Sequence, residues 1–66
     1  MKVQIDKDSD TLYFRLKEDA IVNSEEVQPG LVLDFDENGN VVGVEFLKVS
    51  TMANEQELKN FQFQTT

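Results

Sequence analysis

The stretch Asp34-Phe35-Asp36-Glu37-Asn38-Gly39-Asn40-Val41-Val42-Gly43-Val44-Glu45 spells a calcium-binding loop in full. Asp34, Asp36 and Asn38 stand at its first, third and fifth positions. Gly39 stands at the sharp turn, Asn40 at the carbonyl ligand and Glu45 at the closing bidentate carboxylate. An all-oxygen ligand set of this kind suits a hard cation. The flanks argue the other way. A calcium loop joins two helices, whereas here Pro29-Gly30 and an alternating run lead in, and Val41 to Leu47 reads as a strand. On a strand, Glu45 falls more than about 10 Å from Asn38, at roughly 3.3 Å per residue. Tight turns need Asp, Asn and Gly for their own geometry. The turn reading is therefore preferred. Calcium or small-ligand binding through Asp34, Asp36, Asn38 and Glu45 is the alternative.

Other chemistry is thinly provided. Asp34 and Glu45 share a strand face, but a carboxylate pair for acid–base work needs a pocket and a defined separation. Ion pairing of Glu45 with Arg15 or Lys17 is the simpler use, and packing is the simpler use of Tyr13. Gly43, inside a strand, marks a bulge or a close approach by another backbone. The chain holds no histidine and no cysteine. That removes the usual general base near neutral pH, thiol nucleophiles, disulfides and zinc thiolate sites. No catalytic residue is assigned and no cofactor is expected.

The elements that carry these residues follow from the alternation of apolar and polar side chains. Val3 and Ile5 alternate with Lys2, Gln4 and Asp6; Leu12, Phe14 and Leu16 alternate with Tyr13, Arg15 and Lys17. Facing Ile5 with Leu12 and Val3 with Phe14 puts both apolar rows on one side, across an even turn around Asp8-Ser9. Strands are expected over 2–6, 11–17, 20–27, 31–36 and 41–47, the third at an edge where its acids deter unwanted pairing. Pro29-Gly30 suits a type II turn. In the last hairpin, an even two-residue turn at Asn38-Gly39 pairs Phe35 with Val42, Leu33 with Val44 and Leu31 with Phe46. A short helix over 51–60, capped by Ser50 or Thr51, and a frayed tail over 62–66 complete the chain. The fold class is α+β: an antiparallel meander of four or five strands with one C-terminal helix, in a single domain over 1–66.

One sheet face gathers the apolar row and forms the core, part of which the C-terminal helix could cover. The other is only half polar: Tyr13, Val32, Val41 and Leu47 stand there beside Arg15, Lys17, Asp34 and Glu45. Strands buried on both sides read as near-continuous apolar runs, as Leu31-Val32-Leu33 does. A chain of 66 residues is also marginal alone. Tyr13, Arg15, Val32, Val41 and Leu47 are therefore the candidate interaction face, covered by a second copy or another protein.

The net charge is −7, and the cations Lys2, Lys7, Arg15, Lys17, Lys48 and Lys59 are scattered among carboxylates. Nucleic acid, which is held by clustered Lys and Arg, is not an expected ligand; a basic protein is an electrostatically plausible partner, and keeping a small protein soluble is the simpler use of an acidic surface. No run of about 18 apolar residues and no signal-peptide core is present, so a cytoplasmic location and no membrane association are expected.

The blocks Thr11-Leu12-Tyr13-Phe14-Arg15-Leu16, Ser24-Glu25-Glu26-Val27, Pro29-Gly30-Leu31-Val32-Leu33-Asp34-Phe35-Asp36 and Val42-Gly43-Val44-Glu45-Phe46-Leu47 resemble the domain of unknown function 2283 family over about residues 3–50. That resemblance implies a small prokaryotic protein with an acidic, antitoxin-like or partner-binding role. The sequence departs from the family's usual helix, since Met52 to Thr66 is polar and poorly amphipathic. The leading expectation is a non-enzymatic interaction module, acting as a homodimer or on a basic protein.

Overall fold

A computed structural model of the chain describes residues 1–54, 56, 57, 59 and 60. Five strands, β1 (Lys2–Asp6), β2 (Thr11–Arg15), β3 (Asn23–Gln28), β4 (Leu31–Phe35) and β5 (Val41–Leu47), form one antiparallel sheet in the order β1-β2-β5-β4-β3. The expected meander is therefore corrected: β2 pairs with β5, and β3-β4-β5 with β2 make a Greek key. The link after β2 runs past the ends of β5 and β4 instead of turning straight into β3. Leu16 and Lys17 amides donate to the Val42 carbonyl at 2.8 and 3.4 Å, and the Val22 amide donates to the Phe35 carbonyl at 2.9 Å. The Arg15 guanidinium clips the same link by donating to the Lys17 and Asp19 carbonyls. Residues 20–22 are spent on the crossing, and β3 starts at Asn23.

The β1–β2 hairpin pairs Val3 with Phe14 and Ile5 with Leu12, as the even turn requires. Asp6 Oδ1 accepts the amides of Asp8 and Ser9 and so folds the turn from within.

The β4–β5 hairpin differs from expectation in an informative way. Leu31 pairs with Phe46 and Leu33 with Val44, but Phe35 pairs with Val41, not Val42. The loop is odd: Gly39 N donates to Asp36 O, Asp36 N donates to Asn40 O, and Gly39 has φ +80°. This is a type I turn followed by a left-handed glycine. The odd loop slips the ladder by one residue, and a bulge at Val42, between Phe35–Val41 and Asp34–Gly43, slips it back. Hydrogen bonds explain why this threading wins. Asp36 Oδ1 accepts the Asn38 and Asn40 amides at 2.9 Å each, and the bulged Val42 keeps its carbonyl for the crossing link.

At the other end, Gly30 takes φ +85° after Pro29, and Val27 is the extra residue of a second bulge in β3. Every residue of β3 is exposed.

The expected C-terminal helix is also corrected. Among the described residues the one helical element with defined bounds after β5 is a 3₁₀ turn, Val49–Thr51, so the α of α+β is not supported. Val49 is buried, and its amide bonds the Asp10 carbonyl while Ser50 donates twice to the Asp10 carboxylate. Asn54, rather than Ser50 or Thr51, makes a reciprocal capping contact with Glu57. Gln56, Glu57, Lys59 and Asn60 take helical conformation. The rest of that expectation, at Glu55 and Leu58, and the frayed tail over 62–66 lie outside the described residues, as does residue 61.

The sheet sorts side chains cleanly. One face carries the rows Val3–Phe14–Val44–Leu33 and Ile5–Leu12–Phe46–Leu31, with Phe14 and Phe46 meeting edge to face at 6.2 Å. Yet only Leu12, Val42 and Val49 are buried apolar residues among those described. Ile5, Phe14, Leu31, Leu33, Phe35, Val44 and Phe46 are half-buried, because this is one layer of sheet with no described second layer over it.

Candidate functional site

The second face holds a connected polar cluster. Pairing places Arg15, Gly43, Asp34 and Ser24 side by side across β2, β5, β4 and β3, with Tyr13 one step along β2. Gly43 leaves a gap in that row, and the side chains from either side close over it. Tyr13 Oη donates to Asp34 Oδ2 at 2.9 Å, and Ser24 Oγ donates to Asp34 Oδ1 at 2.6 Å. Arg15 Nη1 donates to Tyr13 Oη at 3.5 Å. Asp34 is buried, and each of its oxygens has a hydroxyl donor. A Cβ on Gly43 would sit 2.5 Å from Tyr13 Oη and 2.7 Å from Asp34 Oδ2, so the cluster depends on a residue without a side chain.

The electrostatics follow from this geometry. Burial, first, and the Asp34 carboxylate push the Tyr13 phenol above its ordinary range, while the Arg15 contact opposes them. Arg15 is held above its own usual value, chiefly by that same hydrogen bond. A neutral phenol donating to a carboxylate is a structural latch; it offers no proton acceptor at neutral pH.

Asp36 is the second buried carboxylate. The Asn40 and Asn38 backbone amides, in that order, hold it below the usual carboxylate range, against burial. Its Oδ1 is thus committed to the turn. The would-be calcium ligands are not gathered. Asp34 is turned onto the second face, Asp36 faces its own loop, and Glu45 stands between Tyr13 and Val32. Asp36 and Glu45 border separate open depressions, neither of which is lined by Asp34. No group of three or more ligating side chains fit for a metal ion occurs among the described residues.

Of the expected interaction face, Tyr13, Val32 and Leu47 share the second face and are half-buried. Val41 leaves it, because the bulge carries it opposite Phe35. Arg15 is used on the crossing link and Tyr13, and its contacts do not include Glu45. Ser24 and the Tyr13–Asp34 contact were not foreseen. Their signal was Gly43, a glycine inside a strand, which makes room for two side chains rather than for a backbone.

No helix among the described residues is long and apolar enough to cross a membrane. A family model described as "Protein of unknown function (DUF2283)" matches residues 2–50, which takes in all five strands. No curated protein and no solved structure matches the chain.

Proposed function

The chain belongs to the DUF2283 family, and from that premise we propose that it is a non-enzymatic, cytoplasmic interaction module whose working surface is the apolar face of the sheet. One observation carries the reading: Phe14, Leu31, Leu33, Val44 and Phe46 form a continuous patch that stays half-exposed in a sheet with no second layer among the described residues. Large apolar patches on small proteins mark binding surfaces. This moves the working surface from the second face, where Tyr13 and Asp34 are occupied with each other, to the first. The net charge of −7 selects a partner whose apolar patch has a basic rim. Blocking such a protein, as an acidic antitoxin does, is one form this role takes.

The test compares partners captured by the wild-type chain with those captured by Leu33→Gln and by Val32→Asp, each checked for folding by circular dichroism. Loss of a stoichiometric partner with Leu33→Gln and its retention with Val32→Asp supports the reading. Equal capture by all three chains overturns it.

A further inference from the structure

The two edges of the sheet are built differently. β3 is defended: it carries the Val27 bulge, Pro29 follows it, and pairing with its own copy about its midpoint would set Glu25 against Glu26. β1 has none of these devices. Its ladder to β2 runs without a bulge, and no described residue pairs with its outer side. Unpaired strand edges recruit another strand unless something prevents it.

The sequence of β1 is complementary to itself. Turned antiparallel about a two-fold axis through Gln4, Lys2-Val3-Gln4-Ile5-Asp6 sets Lys2 opposite Asp6, Val3 opposite Ile5, and Gln4 opposite Gln4. Both ion pairs then lie on the second face and both apolar pairs on the first. We propose that two copies of the chain join at β1, as one continuous ten-stranded antiparallel sheet with a two-fold axis at Gln4. Oppositely charged residues directly across an antiparallel pair stabilise it, and here symmetry doubles each pair. The joined sheet runs the apolar face of one copy into that of the other through Val3 and Ile5, of which Val3 is exposed in the single chain. The inference goes beyond the proposed binding role and stands without it, because it uses the edge of the sheet and not its face.

The chain has no cysteine, so an introduced one reports its position alone. Directly opposed residues in an antiparallel pair lie about 4.5–5.5 Å apart at Cα, within disulfide range. Gln4→Cys is therefore expected to give a covalent dimer under mild oxidation. Lys2→Cys, with its two copies about 13 Å apart across the axis, is not. The ion pairs are tested by mass measurement across a concentration series. Lys2→Glu, which faces Arg15 within its own chain, is expected to weaken the dimer at least about tenfold. Adding Asp6→Asn, which keeps an acceptor for the Asp8 and Ser9 amides, removes the new like-charge repulsion without restoring an ion pair and is expected to recover only part of that loss. A wild-type chain that stays monomeric throughout the series overturns the proposal. So does cross-linking at position 2 as fast as at position 4, or a dimer indifferent to Lys2→Glu. Leu33→Gln is expected to leave this dimer intact, which separates it from association through the apolar face.

Discussion

Tyr13 and Asp34 hydrogen-bond across an intervening strand, at 2.9 Å, in the space where Gly43 has no side chain. The contact ties β2 to β4 over β5 and gives a buried carboxylate one of its two hydroxyl donors. An unsatisfied buried acceptor costs more than a satisfied one gains, so the contact is worth more as protection than as attraction.

Gly43→Ala is expected to destabilise the fold by about 1–3 kcal/mol, because its Cβ collides with both partners. Urea unfolding measures the loss. Combined with Tyr13→Phe, which removes the colliding hydroxyl, the two costs should fall short of additive by about 1 kcal/mol. Full additivity would show that the Tyr13 hydroxyl and Gly43 do not share a site.

The phenol gives a pH signature with a definite sign. Its folded value is raised, so the stabilisation it brings is complete below the unfolded value near pH 10 and lost as pH rises through the folded value. The chain has one tyrosine and no tryptophan, so ultraviolet difference absorbance follows Tyr13 alone. Asp34→Asn is expected to lower the midpoint. A midpoint at the free-tyrosine value in the wild type would contradict the latch.

Asp36 works in the opposite direction. Its folded value is lowered by the Asn40 and Asn38 amides, so its contribution is present above the ordinary carboxylate range and lost as pH falls through the folded value. The Asn38 and Asn40 amide shifts should titrate together with the Asp36 carboxyl, below the midpoints of ordinary exposed carboxylates. Asp36→Asn, which keeps an acceptor, should flatten that transition while preserving the turn.

Calcium is expected to leave the chain unchanged. Asp34 is closed by Tyr13 and Ser24, and Asp36 Oδ1 by two amides. Amide spectra at millimolar calcium should match those without it. Saturable shifts at Asp34, Asp36, Asn38 and Glu45 together would restore the loop-binding reading.

What was legible in the residues was the pairing of alternating apolar runs. Val3 with Phe14 and Leu33 with Val44 follow from keeping one face dry, and register slips are costly there. Strand order was not legible, because adjacency in sequence suggested β2 beside β3. What decides against it is a set of contacts made by Arg15 and the Val42 carbonyl with the crossing link, which no local pattern announces. Parity was sound as a rule but admitted two solutions, an even loop or an odd loop with a bulge. The Tyr13–Asp34 contact required three strands to be in register at once, and only Gly43 hinted at it.

Those two solutions for the β4–β5 hairpin use the same number of residues and share the same end points at Leu33 and Val44. The slack in the chain is therefore confined to a short closed segment from Asp34 to Gly43, and the strand pairs beyond it keep their register however it is threaded, while the Leu16 and Lys17 amides on the Val42 carbonyl depend on the bulge. Such a segment behaves like a checksum. A single-residue insertion or deletion within it can be absorbed by gaining or losing the bulge with Leu33 still opposite Val44, although losing it gives up the bonds of the Val42 carbonyl to the crossing link. A change in loop length is thereby uncoupled from the register of the apolar face, the surface proposed to bind.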